Sequence, residues 1–284
     1  MPTITNLLFI TENITREIIQ FSKILDKRGV RVTIAGPYNE NVQYITDGYF
    51  IQLGKFFGRL LGVRRLSGFK YAVVFDDASV KLAKRAKLKK IQFREKVGVD
   101  LSIWSPKAIS GNRQTMILSE YNILPHQKLI LVIEPTEKDI AGLVQATTVT
   151  SKDDYIIAIH GTLRNRAAIR VSRKIRGHPH IMYIGRTNDL PSIMRASFAV
   201  ISFSEKDDFY KAAAIAMGRT TAWKGQGPKP NIIIASGDYA GALKKILSLG
   251  RDMRERFEEE NLARAGDFGC DSQVEKVMNL LPGR

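Results

Sequence analysis

Two carboxylates, Glu205 and Asp207, stand in an acidic turn just ahead of a stretch rich in small residues, and Gly161 and Gly185 each follow an apolar run. These residue types suit recognition of a polar or anionic ligand. A carboxylate accepts hydrogen bonds from hydroxyls, and a glycine at a strand exit permits close approach to the backbone. Lys138, Arg164 and Arg186 supply cations in the same half of the chain. The carboxylates also have a purely structural use, because negative charge beside a helix N-terminus is favourable by itself. Asp189, before Leu190-Pro191, reads as a helix N-cap, and Gly218 as a helix C-cap. Other chemistries lack their residues. No GxxxxGK[ST] loop is present and no GxGxxG follows a strand. One cysteine, Cys270, and four widely placed histidines, His126, His160, His178 and His180, make no zinc-ligand spacing, and no context for a thiol or serine hydrolase exists.

Charge points to an anionic partner. Of 284 residues, 44 are Lys or Arg against 28 Asp or Glu, a formal excess of +16. Nucleic acid, an anionic membrane surface and phosphorylated ligands all fit such an excess. Lys81–Lys90 (KLAKRAKLKK) contains no acid. Lys55–Leu66 (KFFGRLLGVRRL) reads as a basic amphipathic helix, with Leu53, Phe56, Phe57, Leu60 and Leu61 on one side and Lys55, Arg59, Arg64 and Arg65 around the rest. Both segments are therefore candidates for an anionic membrane surface; packing of the first against a sheet and solvation of the second are the structural alternatives. Nucleic acid is disfavoured as a partner, since no RRM, KH or helix-turn-helix signature accompanies the charge. The single cysteine fits a reducing compartment, no apolar run reaches the roughly 18 residues of a membrane span, and the opening residues read as a strand rather than a leader. The expected location is cytoplasmic, with peripheral attachment at the inner face of the membrane.

The elements that must position these residues alternate strand and helix, which predicts parallel sheets covered by helices. Asn6–Thr11 is a strand, Arg16–Arg28 an amphipathic helix with Ile18, Ile19, Phe21, Ile24 and Leu25 on one face, Gly29 its stop, and Arg31–Ala35 the next strand. Further strands are expected at Tyr71–Phe75, Lys90–Phe93, Lys128–Glu134, Tyr155–Ile159, Ile181–Ile184, Phe198–Ser202 and Asn231–Ala235, and two polar amphipathic helices over Arg251–Leu281. The segment SPKAISGNRQ, within a boundary region running from Pro106 to Lys128, has linker composition. The expected fold class is α/β with two Rossmann-like domains, 1–118 and 119–284, and a cleft between them.

Several segments, in order, resemble the retaining family 4 glycosyltransferases, which have the two-domain GT-B fold. NLLFITENITREIIQFSKILDKRGVRVTIAGP is similar to that family's opening strand–loop–helix–strand, and GVDLSIWSP (Gly98–Pro106) to its Asn-Gly-Val-Asp-x-x-x-Phe-x-Pro exit from the first domain. ILPHQKLILVIEPTEKDIAGLVQA, IAIHGTLRNRAAIRVSRKI and the block Tyr183–Ala222 resemble successive parts of the donor domain. The first domain is shorter than is usual. The resemblance implies a glycosyltransferase that moves a sugar from a nucleotide-sugar donor to a lipid-linked or polysaccharide acceptor. It implies neither a metal nor a separate cofactor, because the nucleotide sugar is a substrate. Lys138, Gly161, Glu205 and Asp207 are then the donor-binding candidates, and no residue receives a catalytic role.

The functional positions match only in part. The family's Glu-x7-Glu pair falls on Asp207 and Ile215, or, two residues earlier, on Glu205 and Ala213; either register keeps one carboxylate. Its Gly-Gly loop falls on Glu12-Asn13, Glu134-Pro135 stands where Gly-Arg is usual, and no histidine precedes His126. A diphosphate leaving group gathers negative charge, so loss of cations and backbone donors weakens the case for chemistry. The alternative is therefore a non-catalytic relative that binds a membrane, a glycan or a partner enzyme.

Overall fold

The computed structural model describes residues 5–12, 14–45, 50–53, 66, 68–92, 98–150, 154–161, 165–203, 208–224, 227–279 and 281. Chain contacts group it into two units, 1–100 with 269–284, and 101–268.

In the first unit, β1 (Thr5–Ile10) leads through α1 (Arg16–Lys27) into β2 (Val30–Gly36) and β3 (Phe50–Gln52). β4 (Tyr71–Val74), α2 (Asp77–Arg85) and β5 (Lys89–Gln92) come next. The five strands run parallel in the order β3-β2-β1-β4-β5. Leu7 and Phe9 on one face of β1 and Leu8 and Ile10 on the other are all buried, in two separate core clusters. A strand covered on both faces needs an unbroken apolar run, and NLLFI is one. Thr15 caps α1, accepting the Ile18 N–H, and the expected stripe of Ile18, Ile19, Phe21 and Leu25 is buried. Of Lys55–Leu66, residues 55–65 lie outside the described set; Leu53 packs against one core cluster and Leu66 is fully buried in it.

The first α-helix of the second unit, α3 (Gly111–Glu120), starts within SPKAISGNRQ, the segment with linker composition. Ser110 caps it by accepting the Arg113 N–H at 3.2 Å, Ile117 is buried, and α3 packs on α6 (Leu190–Ala196). Gly, Ser and Asn around a helix start mimic linker composition because the same residues cap helices. Before α6 come β6 (Lys128–Ile133), α4 (Glu137–Thr147), β7 (Tyr155–His160), α5 (Asn165–Ile175) and β8 (Ile181–Gly185). After it come β9 (Ala199–Ser202), α7 (Asp208–Ala216), β10 (Thr220–Trp223), β11 (Ile232–Ile233), α8 (Tyr239–Leu247) and α9 (Arg251–Arg264). Six parallel strands take the order β11-β10-β9-β6-β7-β8. β3 and β10 were not legible in the sequence: β3 is three residues long, and Thr-Thr-Ala-Trp carries no apolar run.

Asp189 occupies the N-cap position of α6 without a side-chain cap bond; its carboxylate instead meets Arg113 of α3 at 2.8 Å. Gly218 does end α7, with φ 69° and its N–H donated to Ile215 O at 2.8 Å. α9 is held by Glu258, which meets Arg195 at 2.7 Å and Arg219 at 2.8 Å. Burial draws the Arg219 guanidinium down to about 10, aided by the charge of Arg195. Burial alone would raise the Glu258 carboxyl, but the two arginines outweigh it and hold it below the usual range.

The last helix, α10 (Asp271–Met278), belongs with the first unit, although the sequence expectation placed the C-terminal helices with 119–284. Val274 and Val277 join the cluster around Phe9 and Phe21, the Cys270 N–H is donated to Val99 O at 3.0 Å, and Arg28 reaches Asp271 and Glu275. Burial raises the Cys270 thiol to about 11, so this cysteine is a packing residue.

Candidate functional site

Open parallel sheets bind ligands beyond the carboxyl ends of their strands, where the strand order reverses. In the second unit that point lies between β6 and β9, paired through Ile133↔Ser202. The residues just past these strands and the neighbouring β7 and β8 form the candidate site.

Glu134, directly after β6, has the left-handed φ of 44°, and its N–H is donated to His160 O at 2.7 Å. This turn carries its carboxylate over the exit of β7. Gly161 sits beneath it: a Cβ there would lie 3.0 Å from Glu134 Oε2 and 3.2 Å from the Glu134 Cα. The second distance involves backbone, so a side chain at this position would press on the Glu134 turn. Its backbone groups are used within the sheet exit, with N–H donated to Gly185 O at 3.3 Å and C=O accepting from Tyr183 Oη at 2.9 Å. Arg186, just past β8, approaches Glu134 Oε1 at 3.8 Å, both side chains being about a fifth exposed. Glu134, Gly161 and Arg186 thus converge, with Glu134 standing where the resemblance has Gly-Arg.

Lys138 is exposed on the first turn of α4. α4 opens with a capping box: Thr136 Oγ1 accepts the Asp139 N–H, and Asp139 Oδ2 accepts the Thr136 N–H at 2.8 Å. Asp139 also accepts from Tyr239 Oη at 2.9 Å; burial first, and then this carboxylate, push the Tyr239 hydroxyl up to about 12. Lys138 and Gly161 therefore occupy neighbouring strand exits, but it is Glu134 that overlies Gly161.

Glu205, Asp207 and Arg164 lie outside the described residues. The helix beyond the two carboxylates, α7, is buried from Phe209 to Ala216, and both residues that could hold the second carboxylate, Ile215 and Ala213, are fully buried and apolar. Lys211 has a fully buried side chain, 3.7 Å from Asp208 Oδ1 and above the Trp223 ring. Trp104, Phe209, Tyr210 and His160 form a run of edge-to-face ring contacts at centroid separations of 5.5–5.8 Å. Trp104 is 6% exposed, and its indole N–H has no hydrogen-bond partner among the described residues.

The first unit has a matching switch point between β1 and β4. There Asp76 Oδ2 accepts the Glu12 N–H at 2.7 Å, while Oδ1 accepts the Ser79 N–H and hydroxyl at the start of α2. A carboxylate engages the backbone donor where the resemblance would place a Gly-Gly loop. Among the described residues, no group of three or more His, Cys, Asp or Glu side chains could hold a metal ion.

No protein-family model and no curated protein matches the sequence. Solved structures do match it. A glycosyltransferase from Rickettsia africae superposes with a TM-score of 0.78 at 13% identity over 98% of each chain. Anabaena HepE, in complex with UDP and glucose, gives 0.75 at 9% identity over 98% of this chain and 100% of that one. WaaG, a glycosyltransferase involved in lipopolysaccharide biosynthesis, gives 0.67 at 11% identity, again over 98% and 100%. Likeness at these identities establishes the fold: an α/β chain with two parallel-strand sheets, matching GT-B glycosyltransferase folds.

Proposed function

We propose that this protein is a glycosyltransferase of the retaining family 4 type that takes its sugar from a nucleotide-sugar donor, bound at the strand exits of the second unit. One observation carries the reading. The chain matches nucleotide-sugar-handling structures over nearly its whole length and theirs, HepE with UDP and glucose among them, while Glu134, Gly161 and Arg186 meet beside the second sheet's switch point. Lys138 and Gly161, with Glu205 and Asp207, are the donor contacts; the carboxylates would accept hydroxyl hydrogen bonds and Lys138 would face phosphate. The acceptor is a lipid-linked or polysaccharide chain, and the protein works in the cytoplasm as a peripheral protein of the inner membrane face. Lys81, Lys84, Arg85, Lys87 and Lys89 are all exposed, which suits an anionic leaflet at about 1 kcal/mol per cation. No described helix is long and apolar enough to cross a membrane.

A second reading, a non-catalytic relative that binds a glycan, a membrane or a partner enzyme, is favoured by the carboxylates at both switch points. Glu134 partly neutralises Arg186, and Asp76 engages the Glu12 N–H. Thermal shift against nucleoside diphosphates and nucleotide sugars tests the donor site, since ligand at about 100 times Kd adds about 2.7 kcal/mol. Stabilisation that Lys138→Ala and Glu205→Ala/Asp207→Ala remove, in variants that still melt cooperatively, supports the site. Release of nucleoside diphosphate from a nucleotide sugar then separates the enzyme from the binding module.

A further inference from the structure

A sheet edge is a row of unpaired N–H and C=O groups that folded proteins ordinarily blunt by shortness, charge or cover. Three of the four edges here are blunted. β3 has three residues, β11 has two, and β5 begins Lys89-Lys90. The fourth, β8, is Ile-Met-Tyr-Ile-Gly, five residues without a charge or a proline, and its outer side pairs with no described strand.

Its open side has a defined orientation. His180 O accepts the Ile157 N–H at 2.7 Å. In a parallel ladder alternate residues bond to the same neighbour, so Ile181 and Tyr183 present their backbone groups outward. Beside this edge, α5 and β8 enclose a groove of about 560 Å³. Ile169, Ile181, Met182 and Tyr183 give it apolar walls, and Ile169 is 53% exposed although it is a large aliphatic residue. Arg173 and Arg176, both exposed, supply its charge.

We propose that β8 and this groove dock an extended segment of a partner protein in which apolar side chains alternate with acidic ones. The segment adds to β8 as a further strand, its backbone pairing with Ile181 and Tyr183. Successive side chains of a strand point to opposite faces, so the acidic set lies on the α5 face and meets Arg173 and Arg176, while the apolar set lies on the Met182 face. Main-chain pairing supplies affinity in this mode, and the groove supplies selectivity. Charge complementarity selects the acidic occupant. A second copy of this chain would bring the same arginines against each other, on a molecule that already carries +16. The inference stands independently of the donor site.

The test uses the whole chain and a labelled, end-blocked peptide of alternating valine and glutamate, with its valine–lysine counterpart as control. The glutamate peptide is expected to bind at least tenfold more tightly than the lysine peptide. Arg173→Glu/Arg176→Glu should weaken that binding at least tenfold while leaving Tm unchanged. Amide exchange should slow on peptide addition at Ile181 and Tyr183. Equal binding of the two peptides, full binding by the double variant, or unchanged exchange at those two amides overturns the proposal. So does preferential binding of phosphatidylserine vesicles or a single-stranded oligonucleotide through the same arginines, which would make the groove a general anion surface. Should the double variant lose stability, Arg173→Gln/Arg176→Gln serves the same comparison.

Discussion

The two sheets are wound alike, yet their switch points are built differently. In the first unit, Asp76 spans from β4 to the Glu12 N–H and caps α2 with its other oxygen, so a single carboxylate closes the strand exits from within. In the second, Glu134, Gly161 and Arg186 come together with a 3.8 Å ion pair between the charged members, and the helix beyond β9 buries a lysine over the Trp223 ring of β10. The same winding thus produces one exit where a carboxylate takes up backbone and hydroxyl donors and one where a carboxylate meets a guanidinium. A fold supplies the location of a site, but the residues at the strand ends decide what it can hold.

The largest test of this contrast is at α7. Lys211→Ala removes the buried ammonium and leaves Asp208 without that partner, which should cost about 3 kcal/mol in urea or thermal denaturation. A loss within experimental error would mean that Asp208 does not depend on the buried ammonium. At Glu134 the effect is on binding. Glu134→Gln ends the ion pair with Arg186 and removes a like charge from an incoming diphosphate; affinity for nucleoside diphosphate should rise about tenfold, or about 1.4 kcal/mol by calorimetry. Unchanged affinity would show that the diphosphate does not approach this exit.

Asp76→Ala should cost about 1 kcal/mol through loss of the α2 cap, with nucleotide affinity unchanged. Tighter nucleotide binding in that variant would reveal a phosphate role for the first exit and erase the contrast.

The smallest effect lies at the opposite, strand-entry end of the second sheet. Thr147 Oγ1 donates to Val144 O at 2.6 Å, so it accepts from His178 Nε2 at 3.1 Å, while His178 Nδ1 accepts the His180 N–H at 3.2 Å. The ring is held neutral. Burial, and then the charge of His180, place its pKa below the ordinary 6.5. The folded state therefore binds fewer protons than the unfolded state in that window, and stability is complete above about pH 6.5 and declines as pH falls toward the lowered value. Melting curves between about pH 7.5 and pH 5 should show a decline that His178→Gln reduces, with ligand affinity unaltered. An identical decline in the variant would assign the pH dependence to other groups.

Most of the fold was legible because its strands are buried on both faces. NLLFI, KLILVI and YIIAIH advertise themselves through runs that cannot be solvated, and Gly29 and Gly218 mark helix ends through the left-handed backbone they permit. The strand–helix rhythm, the apolar face of α1 and the loss of a carboxylate at Ile215 or Ala213 all come from residue order, because they depend on neighbours within a few positions. The helix inside the apparent linker did not, since cap residues and linker residues are the same types, and only packing on α6 distinguishes them. Nor did the return of α10 to the first unit, which depends on Val274 and Val277 meeting Phe9 and Phe21 from the far end of the chain. The pairings at the strand exits were beyond sequence for the same reason. Glu134 with Arg186, and Glu12 with Asp76, are separated by 52 and 64 positions, and only the closing of each sheet brings a carboxylate to a guanidinium or to a backbone N–H.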